Sequence, residues 1–328
     1  MPQVPAIIYS TPYNRTYSAP LPALPIDEIE RAYDFAKQDK AASTRRCYSS
    51  DFKIFARWCA DRNVCALPAK PDTVAAFLAA EADRGRKPLT IGRRCAAIKY
   101  THKLAGHDSP TDSEAVKATV RGIRRALGVA PRKLAAATAD KTVGMVMLAR
   151  HGLIGKRDRA LLLLGFSLAA RRSELVALDV SDIEEVPEGL RVRIKKSKTD
   201  QEGAGVVLAV PRGSIACPVK ALREYLDAAG ITSGPVFVQI RRGGHVTPNR
   251  LGGEAVRRVV KLQIKKLGLD PKNYGAHSLR AGAITSAAAR GASVFKIRDQ
   301  SRHKSIDVLA GYVRDNNLFQ DHCLSGLL

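Results

Sequence analysis

The 328-residue chain is predicted to be mainly α-helical with a small antiparallel β-sheet, as an all-helical N-terminal domain followed by an α+β C-terminal domain. Three observations predict this. Helix start signals recur from Ile26 to about Ala130, with apolar residues at helical spacing between them. The period changes to strict alternation in "GLRVRIKK", where Leu190, Val192 and Ile194 alternate with Arg191, Arg193 and Lys195. Helical spacing returns from Pro218 onward, and the length suits about two domains.

Residues 1–25 carry six prolines and have neither a basic leader nor a long apolar core, so they read as a flexible arm. Start signals at Asp27, Ser43-Thr44, Pro71-Asp72, Pro88 to Thr90 and Asp112-Ser113 predict four or five helices across residues 26–130. In "GVAPRKLAAATAD", residues 128–140, a glycine, a proline and a run of small residues interrupt the pattern and mark a linker. The second domain is placed at 131–328, with a tail from 313.

That domain opens with "GKRDRALLLLGFSLAARRSELVALDV", which reads as helical throughout. The alternating strand follows, then the polar turn "SKTDQEGAG" and "VVLAV", so two strands pair as a hairpin or within a small antiparallel sheet. Four further helices are expected in "PVKALREYLDAAG", "TPNRLGGEAVRRVVKLQIKKLG", "AHSLRAGAITSAAARG" and "SVFKIRDQ", several ending at a glycine suited to a left-handed cap. His245 is expected in a loop ahead of a helix capped by Thr247.

Charge narrows the function. Lys and Arg number 54 against 31 Asp and Glu, a net charge of +23. Such an excess predicts a polyanionic partner, and nucleic acid comes first because clustered cations release counterions from phosphates. Arg45-Arg46, Arg93-Arg94 and Arg121 to Arg125 put arginines repeatedly on or beside the N-terminal helices, and the first two pairs are the candidate DNA contacts. No apolar run is long enough to span a membrane. Six cysteines, Cys47, Cys59, Cys65, Cys95, Cys217 and Cys323, show no paired spacing, so no metal site, cofactor or disulfide framework is indicated, and a reducing, cytoplasmic setting fits.

Taken singly, the candidate reacting residues are ordinary. His277 and Arg280 lie three apart at a helix start, where capping and ion pairing explain such residues equally well. Arg171 and Glu174 are three apart after an apolar helix, a spacing that suits a buried ion pair. Lys198 sits beyond the basic-faced strand, where lysines commonly serve solubility. Tyr312, in "VLAGYV", would fill a core.

Together, "ARRSEL", "KSKT", "HSLR" and "RHKSIDVLAGY" resemble, in order and spacing, the active-site signature of the tyrosine recombinases, the phage integrase and Cre-type family. The resemblance implies an α+β recombinase catalytic domain behind an all-helical core-binding domain. It makes Tyr312 the nucleophile, Arg171, Lys198, His277, Arg280 and His303 the other catalytic residues, and Glu174 their support. It also implies metal-free cleavage and rejoining of DNA through a 3′-phosphotyrosyl link, no cofactor, double-stranded DNA with inverted-repeat sites as partner, and a homotetramer on DNA that is a monomer or dimer when free. Two departures stand out: Ala170 where a glycine often precedes the first arginine, and Ser301-Arg302 where Leu-Gly commonly precedes His303.

Two other functions use the same residues. A type IB topoisomerase shares the chemistry without exchanging strands, and a DNA-binding accessory protein keeps the fold without chemistry. The apolar residues Leu318, Phe319, Cys323, Leu324 and Leu327-Leu328 favour recombination, because in Cre-type relatives such a tail docks on a neighbouring protomer.

Overall fold

A computed structural model describes residues 25–36, 39–128, 133–195 and 205–303, with positions 305, 306, 309, 311 and 312 individually. The Pro-rich arm to Leu24, Lys198 and the tail 313–328 lie outside the described residues. The chain divides into two compact units, Met1–Pro131 and Arg132–Leu328.

The first unit contains helices α1 (Ile26–Ala36), α2 (Ala42–Ala60), α3 (Pro71–Asp83), α4 (Pro88–Leu104) and α5 (Glu114–Leu127). Their starts follow the chemistry read from sequence. Pro71 and Pro88 occupy first-turn positions, where a missing N–H costs nothing, and the Ser113 hydroxyl accepts from the Val116 N–H at 3.3 Å. The core is aromatic: Phe52, Phe55, Trp58 and Phe77 are buried, with the Phe55 and Phe77 ring centres 5.0 Å apart and the Trp58 and Phe77 rings edge-on at 5.6 Å.

The second unit begins with α6 (Ala139–Met147), α7 (Leu153–Ser167) and the short α8 (Arg172–Ala177). Strands β1 (Ile183–Val186), β2 (Gly189–Ile194) and β3 (Val206–Pro211) form an antiparallel sheet in the order β1-β2-β3, with Val192 opposite Leu208. Leu190, Val192 and Ile194 point inward while Arg191, Arg193 and Lys195 stay exposed, as the alternation predicts. Then come α9 (Pro218–Ala229), β4 (Val238–Ile240), β5 (Val246–Arg250), α10 (Gly253–Lys266), α11 (His277–Ala289) and α12 (Val294–Ser301). Helix α9 ends on Gly230 at φ 63°, the left-handed cap expected there. The core of this unit is aliphatic, built around Leu161, Leu162, Leu164, Val192, Val260 and Ile264.

Two expectations need correction. Thr247 caps no helix: it lies in β5, its hydroxyl donates to the Gln239 carbonyl at 2.9 Å, and α10 starts six residues later at Gly253. Arg250 fixes this short strand by donating to the Val176 and Leu178 carbonyls and to Asp179, contacts too distant in sequence for local spacing to reveal. The helical stretch after Gly155 is also broken between Ser167 and Arg172. There the Ala169 N–H bonds Phe166 O and the Ala170 N–H bonds Gly165 O, the paired bonds that close a helix with a left-handed residue, here Ala169 at φ 44°. The left-handed position is therefore Ala169, one residue before Ala170, which stands where the resemblance often has a glycine.

Candidate active site

The broken end of α7 organises the site. The last carbonyls of a helix lack partners inside it and carry its negative dipole end. Here each of three consecutive carbonyls accepts from a later segment: Ser167 from Gln300 Nε2 (2.7 Å), Leu168 from Arg302 Nη1 (3.3 Å) and Ala169 from Arg280 Nη1 (2.7 Å). Arg171 follows at once, as the N-cap of α8.

Helix α11 brings the next groups. Gly282 lets it lie directly on the strand-like residues before α6, since a Cβ there would stand 1.7 Å from the Ala137 carbonyl oxygen. The Ala137 N–H donates to Ser278 O at 2.9 Å, and the Ser278 hydroxyl accepts from the Gly275 N–H at 3.0 Å. The start of α11 is thereby fixed, with His277 on its exposed side and Arg280 on its buried side.

Arg280 is 1% exposed and no carboxylate among the described residues reaches ion-pair distance. Its Nη2 lies 3.2 and 3.3 Å from the two ring nitrogens of His303, nearly equidistant, so the guanidinium rests against the ring. Burial, then Arg171 and Arg302, lower its pKa to about 10, leaving it charged at neutral pH. The same burial and the cations Arg280 and Arg171 push His303 from 6.5 to about 4, so its imidazole is neutral. Ser301 Oγ lies 2.7 Å from His303 Nδ1. Loss of water around His277, then Arg280 and Arg171, lowers that histidine too.

Glu174 is buried beneath Arg171. Its Oε1 accepts from Arg171 Nη1 at 2.6 Å, and its Oε2 accepts both the Arg171 backbone N–H (2.9 Å) and Arg302 Nη2 (2.7 Å). Burial alone would raise this carboxyl; Arg302 and Arg171 overcome it and hold the group below its ordinary value. Tyr312 sits half-buried on an apolar shelf of Ile284, Ala288, Ile297 and Leu309, close enough to Arg280 for their charges to interact.

The structure thus brings together Arg171, Glu174, His277, Arg280, His303 and Tyr312. Three neighbours escaped the sequence: Gln300, Ser301 and Arg302. Ser301 and Arg302 left a signal there, as a pair standing where Leu-Gly is usual; Gln300 left none. In the first unit Arg46 is exposed, Arg45 is half-buried, and Arg93 forms a bidentate pair with Asp51 at 2.6 and 3.1 Å. Arg94 corrects the expectation of a DNA contact: it is 6% exposed and its guanidinium pairs inside the core with Glu81 and, at 3.7 Å, Asp51. Among the described residues no His, Cys, Asp or Glu side chains cluster in threes that could hold a metal, and no helix is long and apolar enough to cross a membrane.

Comparison with known proteins agrees with this geometry. Residues 137–318 match the model of the phage integrase family. An integrase/recombinase of Selenomonas ruminantium, described as a xerD homologue, is 34% identical over 295 residues, covering 88% of this chain and 86% of the relative. The Cre recombinase of Escherichia phage P1 is 25% identical over 321 residues, 90% of this chain and 92% of its own. Among solved structures, a lambda integrase dimer bound to a core site superposes with a TM-score of 0.58 over 88% of this chain and 76% of that one; at 18% identity the likeness is one of fold. The chain belongs to the phage integrase family and is a site-specific recombinase, an enzyme that cleaves and rejoins DNA strands.

Proposed function

We propose that Tyr312 is the nucleophile and that Arg171 and Arg280 hold the phosphate it attacks. The Tyr312 oxygen bonds to phosphorus and the bond from phosphorus to the 5′ oxygen breaks, leaving a 3′-phosphotyrosyl link and a free 5′-hydroxyl. The ester is exchanged, not hydrolysed, so no nucleotide energy source is required. A 5′-hydroxyl from the other site reverses the step and joins the new strand.

Arg280 carries this assignment. A buried guanidinium bonded, among the described residues, to a carbonyl and a neutral ring keeps its full charge for the phosphate oxygens. Arg280 can only donate, so it favours a lone pair on the ring nitrogen it faces, while the Ser301 hydroxyl can donate or accept at Nδ1; in its Nε2–H tautomer His303 donates to a non-bridging oxygen. His277 accepts the tyrosine proton; its lowered pKa favours the neutral imidazole that this role requires, at some cost in basicity. Lys198 protonates the leaving 5′ oxygen from the turn between β2 and β3; the base of that turn is fixed where Lys195 pairs with Asp182 at 2.8 Å.

The partner is double-stranded DNA with inverted-repeat sites, bound by a homotetramer that is a monomer or dimer when free. Exposed cations such as Arg46 and Arg93 contribute from the first unit, the tail after Tyr312 docks on a neighbouring protomer, and the reaction takes place in the cytoplasm. Strand exchange needs two sites cut in one complex, and four head-to-tail contacts would close such a ring.

The test begins with fragmented DNA flanking the gene, incubated with the protein and quenched in detergent. DNA retained on protein after denaturation and released by protease identifies the site and the covalent step. Failure of the wild-type protein to retain any DNA, or retention by Tyr312→Phe, overturns the assignment.

A further inference from the structure

We propose that Arg302 is a positioning residue of this site: it takes up the charge of Glu174, so that Glu174 orients Arg171 without cancelling it and the phosphate meets two uncompensated guanidinium groups. This rests on the active-site assignment above and adds a residue to it.

Three observations lead there. Arg302 adopts φ 56°, a left-handed conformation costly for any residue with a Cβ and free for glycine. Its side chain must compensate, and that side chain is only 8% exposed. It spans the site, with Nη1 on the Leu168 and Gln300 carbonyls at 3.3 and 3.1 Å and Nη2 on Glu174 at 2.7 Å. The charge balance supplies the reason. Around Glu174 and His303 stand Arg171, Arg280 and Arg302, against the carboxylate of Glu174. Without Arg302, Glu174 pairs with Arg171 alone and cancels much of the field that Arg171 presents to the phosphate. With Arg302 present, two positive charges remain, matching a transition state in which negative charge builds on the phosphoryl oxygens.

Arg302 also ties the segment carrying His303 to the end of α7, next to Arg171. One side chain therefore sets the spacing between the histidine side of the site and the first arginine.

Single-turnover cleavage of the duplex recovered by covalent retention tests this. Arg302→Gly suits the backbone and removes the side chain; cleavage is expected to slow about 10-fold or more, by analogy with losing one transition-state contact. Arg302→Lys, which keeps the charge, should recover most of the rate, whereas Arg302→Gln should not. The decisive comparison is Glu174→Gln in the Arg302→Gly background. A neutral amide in place of the carboxylate cannot cancel Arg171, so the double variant should cleave faster than Arg302→Gly alone. A packing role predicts the reverse, because two defects in one network would add.

Wild-type rates in Arg302→Gly, or a deeper defect in the double variant, overturn the proposal. If Arg302→Gly fails to fold, as its melting curve would show, the Lys and Gln variants decide, and equal rates for those two overturn it. Loss of the covalent adduct from the wild-type protein would instead defeat the active-site assignment itself.

Discussion

Arg94 and Arg280 are both buried, one in each unit, and they are used in opposite ways. In the first unit Arg94 meets Glu81 and Asp51, so its charge is spent inside the fold. In the second, Arg280 meets a carbonyl and a neutral imidazole, so its charge is held in place and left uncancelled. The difference teaches that burial alone does not mark a catalytic arginine. What sets Arg280 apart is a neutral hydrogen-bonding shell, which fixes the side chain at the cost of desolvating a cation and, on the proposed assignment, keeps the charge for the substrate.

The comparison can be broken by substitution. Tyr312→Phe carries the largest expected effect: complete loss of the covalent adduct, with DNA affinity in a gel shift unchanged, since only a hydroxyl is removed. Arg280→Met should slow single-turnover cleavage by about 10²-fold or more. Its thermal midpoint should move less than that of Arg94→Met, which breaks a buried ion pair and leaves Glu81 to the exposed Arg84 and Arg86, and is expected to cost about 3 kcal/mol by denaturant titration. Equal destabilisation by the two changes would erase the distinction between them.

Smaller effects sharpen it. Lys198→Ala should cleave poorly on ordinary DNA and recover on a substrate whose bridging 5′ oxygen is replaced by sulfur, because a thiolate leaves without a proton. An equal defect on both substrates would remove Lys198 from the acid role. The smallest effect concerns His303. Its folded pKa, about 4, lies below the ordinary 6.5, so between those values the unfolded chain binds the extra proton and stability falls as pH drops. His303→Gln should flatten that slope in urea titrations run from pH 6.5 to pH 4; an unchanged slope would place the acid sensitivity elsewhere.

The two units also differ in how much of them the sequence reveals. Three helices of the first unit begin at residues whose chemistry announces them, Pro71, Pro88 and Ser113, whereas α2 starts at Ala42 without a side-chain cap; the aromatic core is local to α2 and α3. In the second unit the proposed reacting residues stand out in the sequence because each lies in a short motif of its own. What surrounds them was not. Thr247 looked like a cap because threonine before a helical run usually is one, and only Arg250 reaching back to Asp179 turns that stretch into a strand. Ala169 gives no hint of a left-handed turn, a conformation usually signalled by glycine. Arg94 resembled its exposed neighbour Arg93 because nothing local says that Glu81 waits opposite it.

The carbonyl row at the end of α7 has a consequence for the order in which the protein becomes itself. Its partners on Ala169, Ser167 and Leu168 lie 111, 133 and 134 residues further along the chain. Contacts that distant form late, because the intervening loop must close before they can be made. A chain still emerging from the ribosome therefore carries Arg171 before Arg280 and Tyr312, its partners in the proposed site, have been made. On the proposed assignment, cutting power arrives only after Tyr312 has been made and these long loops have closed.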